Sequence, residues 1–392
     1  MLRVGQKEAD AVAKVLLSGK IFRYGKLGGQ CGRFERRYAK YLGVEHVWAT
    51  SSGTTALTAA LAGVGVGPGD EVIVPACTYM ATPISVLAAG AIPVIADVDD
   101  SITLDPKAVA AAVGPRTKAV VPVHMWGLPC DMKRIARVAK KHGLLIVEDA
   151  CQAVGGGYEG RKLGSIGHAG AFSFNYYKNM TCGEGGAMVT NDPAAAERAG
   201  CLIDCCRFYW DGRDDGFRPF TSNGARASEL EGAVLNVQLD RIDGLIRACR
   251  RQKQRIGRET AETGLAPIRY HSPDHECGTH VMWTLPTPEQ ADDFARRTGG
   301  TVAGKTGRHV YTEWDPILNH RGAHHPALDP FRLPANRRCR KKYTRDMCSR
   351  SLDVLNRTVM VRTNPDHKRA DVTALIRRVR EAAKAVLPDA GR

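Results

Sequence analysis

Two side chains in the middle of the sequence are placed for chemistry on an aldehyde. Asp149 follows an apolar run at residues 144–147, and Lys178 follows another at 169–174. Both therefore stand where a strand-length segment gives way to a loop. A neutral lysine amine condenses with an aldehyde to a Schiff base, and apolar surroundings favour the neutral amine. A carboxylate nearby can keep a proton on a ring nitrogen conjugated to that imine. Between the two residues lies the glycine-rich text GGGYEGRKLG. The pattern points to a buried site for an aldehyde cofactor, held by Lys178 and tuned by Asp149.

Pyridoxal phosphate is such an aldehyde, and it also needs a phosphate cradle and an aromatic face over its ring. Ser52, Gly53 and Thr54 open a helical stretch. Free backbone N–H groups and the positive dipole end at such a start receive anions. Ser173 adds a hydroxyl at a strand end, and Tyr79 supplies a ring in the loop after EVIV. The spacing of SSGTT is neither a P-loop nor a dinucleotide fingerprint. Each residue alone has a plainer reading: Asp149 or Ser52 a helix cap, Tyr79 a core ring, Lys178 a surface lysine. Together they fall in the order and contexts the cofactor demands.

The surrounding elements must bring these residues to one place. Strand-length apolar runs occur at 71–74, 92–96, 118–123, 144–147, 169–174 and 187–190. Helical spacing fills most of the gaps, from Thr55, through Ala89, and over 106–113 and 131–142. This alternation predicts an α/β fold with a mostly parallel sheet between helices. Ligands bind at the carboxyl ends of such strands, where Ser52, Thr78, His124 and Asp149 gather. Helices are also predicted over 6–19, 33–42, 194–202 and 229–242. Residues 205–227 lack periodicity and read as a long functional loop. The 392 residues exceed one ordinary core. A large domain over 1–247 and a smaller α+β domain over 248–392 are expected. In the latter, HVMWTLP and RHVYTEW read as strands, PEQADDFARRT and residues 371–386 as helices.

The net charge is +15, concentrated in RACRRQKQRIGR and RRCRKKYTR. These runs have no aromatic interleaving, so a solvated basic face that attracts anionic substrate is expected, not a nucleic-acid surface. The twelve cysteines lack paired C-x-x-C spacing, so free thiols and no metal are expected. No run approaches the roughly 20 apolar residues of a membrane span. Charged Lys7, Glu8 and Asp10 stand where a signal segment would begin. A cytoplasmic protein is expected.

The runs SSGTTAL, GVGPGDEVIVPACTYMAT, PRTKAVVPVHMWGLPCDM, VEDACQAVGGGYEGRKLGSIGHAGAFSF and KNMTCGEGGAMVTND resemble the DegT/StrS-type sugar aminotransferases. These are pyridoxal-phosphate enzymes of the aspartate aminotransferase, or type I, fold, with a seven-stranded sheet in the large domain. The likeness implies that Lys178 carries the Schiff base and Asp149 faces the pyridine nitrogen. It implies that Gln152 lies beside the ring hydroxyl, that Gly53, Thr54 and Ser173 meet the phosphate, and that Tyr79 stacks. It also implies a homodimer with shared active sites, in which an asparagine of one subunit reaches the other's phosphate. Counting back from Glu229 puts Gly224 at that place. Asn223 fits with one extra residue in the loop and is favoured. His124 is assigned either to support of the ring or Asp149 or to structure. His320, His324 and His325 are assigned to an entrance or, preferably, to a solvated loop.

A subgroup of the family has histidine in place of the lysine and catalyses dehydration or deoxygenation. Lys178 therefore favours transamination, with glutamate or glutamine as donor and a keto or aldehydo sugar or cyclitol as acceptor. The text EDACQAVGG…TCGEGGA is most like the branch that aminates an octulosonate sugar acid; antibiotic aminosugars and nucleotide sugars stay open. Two alternatives remain: an aromatising dehydratase of the aminohydroxybenzoate type, and a cofactor-binding regulatory protein without turnover.

Overall fold

The structure is a computed structural model that describes residues 4–24, 29–207, 209 and 218–387. Part of the expected functional loop, residues 208 and 210–217, lies outside the described residues. The central sheet comprises β1 (His46–Thr50), β2 (Glu71–Pro75), β3 (Ile92–Ala96), β4 (Thr117–Val120) and β5 (Leu145–Asp149). A two-stranded hairpin, β6 (Gly157–Tyr158) with β7 (Arg161–Lys162), interrupts the glycine-rich loop. Then β8 (Ala169–Ser173) and β9 (Gly186–Thr190) complete a seven-stranded sheet of order β1-β9-β8-β5-β4-β2-β3. Strand β9 runs antiparallel to its neighbours β1 and β8; the other pairings are parallel. The mostly parallel sheet predicted from the apolar runs is thus observed.

Side-chain alternation assigns each strand residue to a face. Val72, Val74, Ala119 and Val147 join the core under the helix Gly53–Gly63, whereas Ile73, Val120 and Ile146 join the core under the helices Gln30–Leu42 and Met132–His142. The strands β2, β8 and β9 are buried along their whole length, as strands covered on both faces must be. The parity carries one residue further. Asp149 shares the face of Val147, and Glu148 that of Ile146. Strand β4 ends earlier than predicted, at Val120, because Pro122 has no N–H for a ladder.

The helix Ile242–Glu259 leads out of this layer without a break. Ile242 and Ile246 pack in the large-sheet core, and Ile256 packs in a separate core around the second sheet. The expected division at 247 therefore falls inside one helix. The second sheet contains β10 (Ala266–Pro267), β11 (His280–Thr284), β12 (Thr301–Val302) and β13 (Thr358–Arg362). Its order is β10-β11-β13-β12, antiparallel throughout. The helices Pro288–Thr298 and Arg369–Val386 cover it through Phe294, Ile376 and Val379.

Between β12 and β13 the chain returns to the large sheet as a strap. The segment RHVYTEW is not the strand its sequence suggests. It makes one bridge, Val310 with Cys77, flanked by Thr78 N–H donating to His309 O at 2.9 Å and Tyr311 N–H to Ala76 O at 3.0 Å. It then coils into a 3₁₀ turn at Tyr311–Glu313. Farther on, Arg340 pairs with buried Glu71, and Tyr343 donates to Pro93 O at 2.8 Å. Among the described residues no helix is long and apolar enough to cross a membrane.

Candidate active site

Asp149 ends β5 and is only 4% exposed. Its backbone is fixed by Pro122 O at 2.9 Å and by His124 N–H at 3.0 Å. Its carboxylate accepts from the Thr82 hydroxyl at 2.7 Å on one oxygen and from Cys151 N–H at 3.0 Å on the other. Thr82 is itself bonded to Thr78 Oγ1 at 2.6 Å. Two neutral donors thus orient the carboxylate, and neither offsets its charge.

The His124 ring does not meet the Asp149 carboxylate. It is fully buried on the opposite face, 2.9 Å from Glu148 Oε2. Cys130 N–H donates to its Nδ1 at 3.2 Å, so the proton sits on the nitrogen that meets Glu148. Glu148 also receives Gly164 N–H at 2.9 Å and Gly167 N–H at 2.6 Å. The adjacent acids have separate tasks: Glu148 ties down the glycine-rich loop, and Asp149 faces the cavity.

The cavity has a volume of about 580 Å³. Ser52, Gly53, Thr54, Tyr79, Asp149, Gln152, Ser173 and Lys178 all line it. At one end Ser52 caps the helix Gly53–Gly63, its Oγ accepting Thr55 N–H at 3.1 Å. The N–H groups of Gly53 and Thr54 lie ahead of the first helical bonds and are available to an anion. Close packing makes Gly53 necessary. A Cβ there would lie 2.6 Å from Ser173 Cβ and 3.1 Å from Cys151 Sγ. Gly53→Ala is expected to lower stability by about 1–3 kcal/mol through overpacking and to weaken phosphate retention. A thermal melt and a titration with inorganic phosphate read both effects; an unchanged melt would contradict the close packing.

Lys178 enters from the turn after β8, with its N–H on Asn175 O at 3.0 Å. Gln152 Oε1 accepts Trp126 N–H at 3.2 Å, which fixes its amide at the cavity wall. Tyr79 is 38% exposed, and its ring lies 5.7 Å from that of His309.

Sequence reasoning missed several wall residues. Trp126 sits in a 3₁₀ turn with a φ of 51°. Arg308 and His309 come from the strap, and Thr279, His280 and Arg362 from the second sheet. The return of the chain after β12 brings Arg308 and His309 here, and no local pattern announces it. Asn223 is exposed and does not line its own chain's cavity. The residues His320, His324 and His325 do not line it either; His320 packs on Phe331 with ring centroids 4.7 Å apart.

The architecture is that of the type I pyridoxal-phosphate-dependent transferases. The chain is similar to the solved 3-amino-5-hydroxybenzoic acid synthase, with a TM-score of 0.78 and 28% identity over 98% of each chain. It is similar to S. venezuelae DesV, with a TM-score of 0.74 and 30% identity over 96% of this chain and 94% of that one. Residues 3–298 match the DegT/DnrJ/EryC1/StrS aminotransferase family, and the chain belongs to that family.

Among curated relatives, GDP-perosamine synthase of Caulobacter vibrioides is 40% identical over 255 residues, 64% of this chain and 66% of that protein. The L-glutamine:2-deoxy-scyllo-inosose aminotransferase of Streptomyces kanamyceticus is 37% identical over 291 residues, 71% of this chain and 68% of that protein. The matches therefore span about two thirds of the relatives' own length.

Proposed function

We propose that the protein is a pyridoxal 5′-phosphate-dependent aminotransferase. It moves an amino group from glutamate or glutamine to a keto or aldehydo sugar or cyclitol. The observation that carries this reading is the meeting of Lys178, Asp149 and the capped helix start in one cavity. Both relatives whose names describe amino transfer or aminosugar synthesis support it.

The residues present fit the cofactor. Gly53 N–H, Thr54 and Ser173 would hold the phosphate, and the packing at Gly53 leaves no side chain in that cradle. Tyr79 would cover the ring, Gln152 would meet its hydroxyl, and Asp149 would face its nitrogen. The bound cofactor supplies an electron sink for the carbanion formed beside the donor's nitrogen. Lys178 would hold the cofactor through its aldehyde. Its Nζ, once free, would accept and carry the proton lost from the donor's α-carbon. Asp149 would keep a proton on the ring nitrogen. Asn223 completes the phosphate site from a second copy of the chain, in a cytoplasmic homodimer. Its exposure outside its own cavity suits that role.

A second reading is favoured by the likeness to 3-amino-5-hydroxybenzoic acid synthase: aromatising dehydration on the same scaffold. A single turnover with glutamate or glutamine separates them. Aminotransfer releases a keto acid in proportion to protein, and dehydration releases none.

A further inference from the structure

Two arginines stand at the cavity wall. Arg308 lies on the strap and Arg362 at the end of β13. Neither guanidinium meets a carboxylate or carbonyl among the described residues. Some other arginines do meet carboxylates, as Arg340 with Glu71 and Arg23 with Glu35. The acids of the cavity are already engaged. Asp149 holds Thr82 and Cys151 N–H, and Glu184 accepts from Asn175 at 2.8 Å.

Both arginines have a fixed backbone. Met80 N–H and Trp314 Nε1 donate to Arg308 O at 3.2 and 3.1 Å, and the Arg308 guanidinium lies 5.3 Å from the Tyr79 ring centroid. Arg362 is paired in register with His280 across β13 and β11. Two cations, one on the strap and one on the second sheet, thus line one cavity, and among the described residues neither forms an ion pair with its acids.

Resting on the aminotransferase reading, we propose that Arg308 and Arg362 form a recognition site for a substrate with two separated anionic groups. One is the α-carboxylate that any amino-acid donor carries. The second belongs either to the side chain of glutamate or to an acid group on the sugar. A planar guanidinium binds a carboxylate through two parallel N–H bonds, and each such charged pair contributes more than a neutral hydrogen bond.

The neighbouring histidines sharpen this selection. Burial, followed by the charge of Arg362, pushes His280 down to about 3. Burial also lowers His309, with Lys178 and Arg308 adding to the effect. Both rings are neutral at physiological pH, so the arginines supply the fixed positive charge on this wall and the histidines offer hydrogen bonds alone.

The test uses the cofactor-loaded protein and unreactive probes. Calorimetry compares glutarate, a dicarboxylate, with butyrate, a monocarboxylate. Glutarate is expected to bind about 10-fold more tightly or better. Arg308→Gln and Arg362→Gln should each remove most of that preference, and the corresponding lysine variants should retain part of it. Equal affinities in the wild type, or a preference that survives both glutamine variants, would overturn the proposal. The source of the second anion follows from single turnovers. If it is the donor, the variants slow L-glutamate more than L-glutamine. If it is the acceptor, they slow the amine-loaded protein's reaction with 5-keto-D-gluconate more than with scyllo-inosose. A glutarate preference that persists while no amino transfer occurs counts against the aminotransferase reading alone.

Discussion

Lys178→Ala is expected to abolish amino transfer, with a loss of about 10⁴-fold or more, since both the tether and the proton carrier disappear. The variant should also lack the absorbance of the covalently held cofactor near ~420 nm. The fold should survive. The side chain points into a cavity, and the turn is held by the backbone bond from Lys178 N–H to Asn175 O. An unchanged far-UV spectrum and melt would establish that the loss is chemical. A persistent ~420 nm band would show that another lysine holds the aldehyde.

Asp149→Asn is expected to have the second largest effect, a fall of about 10³-fold in turnover with the fold retained. The substitution keeps size and hydrogen-bonding capacity. Its amide oxygen can still accept Cys151 N–H, and the Thr82 hydroxyl can turn to accept from the amide while donating to Thr78. What it lacks is the negative charge. The donors on Asp149 among the described residues, Thr82 and Cys151 N–H, are neutral and can be kept by the amide. The loss should therefore appear in the chemical step and in cofactor affinity, and hardly in the melting temperature. A variant within about 10-fold of wild type would mean that the carboxylate does not govern the ring nitrogen.

The residues legible in the sequence share a cause. Asp149, Ser173 and Lys178 follow apolar runs, Ser52 to Thr54 open a helix, and each context is local. Periodicity is enough to place them at the carboxyl edge of a parallel sheet, and eight of the proposed ligands line one cavity. Parity along β5 also held information that went unused. Counting two residues from Val147 and from Ile146 separates Asp149 from Glu148, and so assigns His124 to the far face with Glu148.

The strap was illegible for the opposite reason. RHVYTEW has the composition of a strand, yet its partner is a single turn around Cys77, which allows one bridge and no ladder. Arg308, His309 and Arg362 reach the cavity only through contacts distant in sequence. Trp126 arrives through a turn with positive φ that no glycine marks at that position. The family likeness fades in the same region, since its match ends at residue 298. The cofactor end of the cavity is thus written in local patterns, and the substrate wall in tertiary ones.

Lys178 and Asp149 are expected to serve amino transfer. The most direct measurement is a single turnover of the cofactor-loaded protein with L-glutamate and with L-glutamine, sugar acceptor absent. The absorbance near ~420 nm should fall as a band near ~330 nm rises, while one keto acid forms per active site. Lys178→Ala should give neither change. If the bands stay fixed with both donors and no keto acid appears, the protein is not an aminotransferase for these amino acids, and the account of the site fails.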